Sequence, residues 1–143
     1  MDQSGREVTA VVCRWAWAAA WQQPNGMYRI NTLKTGAATG IVINRITLTS
    51  PAEQQPGEVA PQRGSSRYAT TDVFAGWRVI GNLDDLLVGA GDPEWPEFDQ
   101  DLNACASRAP DSVERREYLT AADRPRSDFP TLPASPGWPA QTQ

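Results

Sequence analysis

From Val8 to Trp21 the chain carries one charged side chain, Arg14, and this run constrains the fold more than any other stretch. Ser4 and Glu7 have the spacing of a capping box, in which the serine side chain accepts from the Glu7 amide and the glutamate reaches back. Val8, Val11, Val12 and Trp15 then fall on one helical stripe and Cys13, Trp17 and Trp21 on another, until Pro24-Asn25-Gly26 breaks the pattern. The spacing predicts an N-terminal helix that is apolar almost all round, with only Glu7 and Arg14 aligned as a polar line, so most of its sides must be covered. The run falls short of the ~20 residues that cross a bilayer. Ala16-Trp17-Ala18 and Ala18-Ala19-Ala20 imitate signal-peptidase sites, but Asp2, Arg6 and Glu7 stand where a signal sequence has net positive charge. Secretion is therefore not expected, and the cytoplasm or a virion is the expected setting.

Tyr28, Ile30 and Thr32 alternate with Arg29 and Asn31, and a β-branched run follows from Ile41 to Ser50 after a turn-rich segment, which predicts a hairpin. Residues 51–67 are rich in Pro, Gly and Gln and read as an internal loop. Tyr68 to Phe74 and Trp77 to Ile80 read as further short strands, completing a small antiparallel sheet of about four strands. Leu83, Leu86 and Leu87 make a short helical face that ends at Gly89 and Gly91. Phe98, Leu102, Cys105 and Ala109 recur at helical spacing behind Pro96, and Asp111 with Glu114 opens a helix through Tyr118 and Leu119. The expectation is an α+β fold: one domain over 1–123 with an N-terminal helix, the sheet, and two or three C-terminal helices. A proline-rich arm over 124–143 completes it. Pro130, Pro133, Pro136 and Pro139 stand three residues apart, the period of polyproline II, with Leu132 and Trp138 beside them.

The chain has no histidine, which removes the usual general base and the commonest metal ligand at once. Its net charge of −4 argues against direct nucleic-acid binding. Twelve of the thirteen basic residues are Arg, which with the abundant Ala hints at a GC-rich bacterial or viral genome. Cys13 and Cys105 are too few for a disulfide scaffold or a zinc ribbon, and the sequence leaves open whether they are free. Gly36 and Gly40 lack the Gly-Lys-Ser/Thr of a phosphate loop, and Gly89-Ala90-Gly91 is followed by Glu94, whose charge opposes a pyrophosphate.

Asp84, Asp85, Asp92, Glu94, Glu97, Asp99 and Asp101 form the clearest acidic cluster, with no basic residue between Arg78 and Arg108. Solvated helix N-termini explain it without any function. A calcium loop starting at Asp99 fails, since Ala104 replaces the turn glycine and Pro110 the bidentate glutamate. The third reading is an acidic face for a basic partner. Glu94, Glu97, Glu114 and Glu117 supply carboxylate pairs for hydrolysis, but such spacing is common in acidic helices.

The expected function is a non-enzymatic structural or interaction protein: a small subunit of a virus particle or multi-subunit complex, homo- or hetero-oligomeric. It would need no cofactor and no metal. Its contacts with protein partners would run through Trp17 and Trp21 and through an arm presenting Pro130, Leu132, Pro133, Pro136, Trp138 and Pro139. The alternatives are a small acidic inhibitor or adaptor that binds a basic partner, and, third, a small carboxylate-based hydrolase.

Overall fold

Whether the first apolar run coils or extends turns on Cys13. Val11 and Trp15 share a side in a helix and in a strand alike, whereas Val11 and Cys13 share one only in a strand. In the computed structural model, which describes residues 6–32, 34–51, 63–69, 74, 76–131 and 137–139, this segment is a strand, β1, Glu7–Trp15. Val11, Cys13 and Trp15 pack against the core while Val12 and Arg14 are exposed. The expected N-terminal helix is therefore absent. The β-branched residues Val8, Thr9, Val11 and Val12 lose side-chain freedom in a helix and fit the pleat. Ser4 of the expected capping box lies outside the described residues.

A 3₁₀ turn, Ala16–Ala18, leads from β1 to β2, Trp21–Gln22, which pairs antiparallel with β3, Tyr28–Arg29, in the register Trp21 to Arg29 and Gln22 to Tyr28. The hairpin thus closes around Pro24-Asn25-Gly26 rather than between residues 32 and 41. Gly26 has φ +79°, and the Asn25 side chain accepts from the Met27 amide at 2.9 Å, an Asx turn. β4, Ile41–Thr49, lies between β1 and β5, Arg78–Asp84, in a three-stranded sheet. The expected sheet of about four strands is replaced by this three-stranded sheet and the two-stranded hairpin. Tyr68 belongs to no strand, and residues 70–73 lie outside the described residues. Leu83 falls inside β5, and Leu86 and Leu87 sit in the turn after it instead of on a helix.

Two α-helices follow late in the chain: α1, Phe98–Ser107, and α2, Val113–Ala121. Ser112, not Asp111, caps α2, accepting from the Arg115 amide at 3.2 Å. Strands are the commonest elements among the described residues, five against these two α-helices, which lie in the C-terminal part.

The chain forms two compact units. Unit 1 draws on Met1–Thr9, Thr47–Ile80 and Thr131–Gln143, and unit 2 comprises Ala10–Ile46 and Gly81–Pro130. Every buried apolar side chain among the described residues belongs to unit 2: Trp17, Ile30, Ile41, Ile43, Trp95, Phe98, Cys105, Leu119 and Phe129. Cys13 of β1 and Cys105 of α1 are joined by a disulfide inside this core, with Cα atoms 5.5 Å apart. Gly40, at φ +67°, lets the backbone pass the 3₁₀ turn closely: a Cβ there would lie 2.7 Å from that of Trp17. The buried Arg116 guanidinium seals the same corner. It donates to the Ala37 and Thr39 carbonyls at 3.0 and 2.9 Å and sits 5.3 Å above the Trp17 ring.

The start of the proline-rich segment also belongs to unit 2. Tyr28 and Arg124 exchange both backbone hydrogen bonds at 2.8 Å, the Arg124 guanidinium lies 3.8 Å over the Tyr118 ring, and Phe129 is buried beside Tyr28.

Candidate functional site

The aromatic residues separate by their indole nitrogens. Trp17 is 1% exposed, and its N–H donates to an Asp111 carboxylate oxygen at 2.7 Å. It is a core residue, tied down at its polar end as a buried indole must be. Trp95 is equally covered, donating to Asp101 at 2.8 Å and meeting Phe98 edge to face at 5.2 Å. Trp21, on the short strand β2, is 54% exposed. In unit 1, Trp138 is half-buried and exchanges backbone hydrogen bonds with Ser66 at 2.9 and 3.1 Å, and Pro139 is exposed. Pro130 is exposed at the end of unit 2, and Leu132, Pro133 and Pro136 lie outside the described residues.

The acidic stretch divides in the same way. Asp101 anchors Trp95, and Asp92 accepts from the Glu94 amide at 2.8 Å, closing the turn before α1. Glu94, Glu97 and Asp99 remain exposed. No cluster of three or more potential metal-binding side chains occurs among the described residues.

Sequence reasoning missed two features. The first is a charged pair beside a cavity in unit 2, with part of the Lys34 side chain exposed and the Asp85 carboxylate covered behind it. Asp85 follows β5 directly; its side chain is 0% exposed, and its Oδ2 accepts from the Ile43 amide at 2.7 Å and from the Lys34 ammonium. Lys34 also donates to the Ile41 carbonyl at 2.9 Å. Asp85 Oδ1 is buried with no hydrogen-bond partner. The adjoining cavity has a volume of about 660 Å³, and Trp15, Trp21, Ile30, Ile41, Val42 and Leu86 line it together with Arg14, Asn31, Thr32, Lys34 and Asp85. Neither Lys34 nor Asp85 stands in a motif. The signals were that Asp85 belongs to the acidic cluster and that Lys34 is the sole lysine of the chain, and nothing in the sequence joins the two.

Beside the cavity, Asp84 accepts from the Leu86 amide and the Asn44 side chain, both at 2.9 Å, with the Arg14 guanidinium 3.8 Å away. The Leu86 N–H first, then Asn44 and the Arg14 and Lys34 charges, hold its carboxyl below the ordinary value of 3.8. A carboxylate depressed on folding contributes stability that is complete above its ordinary value and is lost as pH falls through the lower folded-state value. Asp84→Asn should therefore flatten the part of the acid-unfolding profile below pH 3.8 and leave the neutral-pH slope unchanged. Urea midpoints recorded between pH 2 and 7 for both proteins check this, and parallel acid limbs would contradict it.

The second missed feature is a set of exposed aliphatic side chains on the strand residues that belong to unit 1. Val79 and Ile80 are neighbours in β5, so they point to opposite faces, and they are 58% and 53% exposed. Val8 and Thr9 of β1 are likewise exposed.

No protein-family model, curated protein or solved structure shows a significant match to the chain. No described helix is long and apolar enough to cross a membrane.

Proposed function

We propose that the chain is a non-enzymatic interaction protein, a small subunit of a larger protein assembly, docked through the unit 1 ends of its outer strands. The observation that carries this reading is the exposure of Val79 and Ile80 together. A strand with one apolar face in a core has its other face polar; here both faces present an aliphatic side chain, on a strand that ends the sheet order β1-β4-β5. Val8 on β1, at the other end of that order, is also exposed. The fitting partner is a protein surface that supplies an apolar patch to β5, against which these aliphatic side chains leave water.

The Cys13–Cys105 disulfide bears on the setting. Such bridges persist where thiols are not kept reduced, which favours a virion or another oxidising environment over the reducing cytosol for the mature protein.

Light scattering on the native protein separated from host extract tests the reading. The unaltered chain is expected in a particle well above the monomer mass. The double variant Val79→Lys and Ile80→Lys is expected to elute as a monomer with a melting temperature within a few degrees of the unaltered chain, because both side chains are more than half exposed. A native protein that elutes as a monomer, or a double variant that still enters the particle, would overturn it.

A further inference from the structure

We propose that the unit 2 cavity is a binding site for a neutral small molecule with an aromatic or aliphatic body and one hydroxyl or carboxamide end. The size is right: about 660 Å³ lies within the range of roughly 300–1,000 Å³ typical of small-molecule sites. Trp15, Ile30 and Ile41 give the wall its apolar character, and Trp21 and Leu86 line it while remaining largely exposed, so they stand where the cavity opens.

The polar chemistry selects the ligand's charge. The Lys34 ammonium carries three N–H groups; the Ile41 carbonyl and Asp85 Oδ2 take two. The Asp85 side chain is wholly covered, Oδ1 included, so it neutralises Lys34 from behind the wall, whereas Lys34 keeps part of its side chain exposed. The wall therefore offers one donor from a pair whose charges already cancel. Arg14, the other cation at the cavity, is held by Asn44 and Asp84. A carboxylate or an ammonium on the ligand would have to be desolvated with no free counter-charge, whereas a hydroxyl or primary-amide oxygen accepts the remaining Lys34 N–H without one.

This inference is independent of the assembly reading, because it uses no residue of unit 1. Its test is a series of probes on one body: 4-phenylbutanol and 4-phenylbutanamide against 4-phenylbutanoate and 4-phenylbutylammonium, titrated calorimetrically into the full chain. Each neutral probe is expected to bind at least tenfold more tightly than either charged one, and to shift the indole N–H resonances of Trp15 and Trp21 while leaving that of Trp95 in place. Ala19→Phe, which puts a ring into the cavity wall, is expected to weaken the neutral probes at least tenfold. The resonance shifts need no variant, so the test holds even if the phenylalanine does not fold. Absence of saturable binding by the neutral probes, tighter binding of a charged probe, or shifts confined to other tryptophans would overturn the proposal.

Discussion

Replacing Cys13 and Cys105 together by alanine should lower the stability of the oxidised chain by about 4 kcal/mol, as read from urea unfolding. The two residues are 92 apart in sequence, and in the chain-entropy account a crosslink closing a loop of that order restricts the unfolded chain by ~4–5 kcal/mol. Against a total stability of about 5–15 kcal/mol for an ordinary domain, that is a large share. The bridge ties β1 to α1 in unit 2, where Cys105 is buried in the core against which Val11, Trp15, Leu102 and Ala106 pack. The unaltered chain unfolded in excess reductant should show nearly the same loss. If the double variant lost less than about 1 kcal/mol while reductant had no effect on the unaltered chain, the bridge would constrain nothing that packing does not already hold.

What could be read from the sequence was what is decided locally. α1 and α2 were expected close to where they lie, because each carries an apolar repeat over whole turns. β4 was expected as well, because Ile41 to Ser50 is a β-branched run that no helical spacing imitates. β1 was misread for a physical reason: Val8, Val11, Val12 and Trp15 fall at helical spacing, as do Cys13, Trp17 and Trp21, and the residue that decides in favour of a strand, Cys13, does so through a partner 92 positions away. Leu83, Leu86 and Leu87 failed in the same way, since β5 takes up Leu83 by pairing in the sheet. The cavity was illegible because Lys34 and Asp85 meet only when β4 and β5 lie side by side. The roles of Asp101 and Asp111 as anchors for indole N–H groups are equally invisible in a count of acidic residues.

Removing residues 124–143 is expected to unfold unit 2, whereas removing residues 132–143 is expected to leave its melting temperature within a few degrees of the full chain. The difference lies in Arg124 to Thr131. Phe129 is 7% exposed against Tyr28 and the core, and losing a buried phenylalanine side chain costs ~3–5 kcal/mol. The two backbone hydrogen bonds between Tyr28 and Arg124 go with it, at ~1 kcal/mol each, and β3 loses the partner that extends its two residues. The Arg115–Asp128 ion pair, the Tyr118 hydroxyl bond to Asp128 and the Arg124 stack on Tyr118 are lost as well, uncovering the outer side of α2. The sum is comparable to the whole stability of a domain this size, so the shorter chain should lose its near-ultraviolet tryptophan signal and aggregate. Circular dichroism of the two truncations side by side decides the matter. A 1–123 chain that melts cooperatively near the full-length temperature would show that Phe129 only covers a core already complete without it.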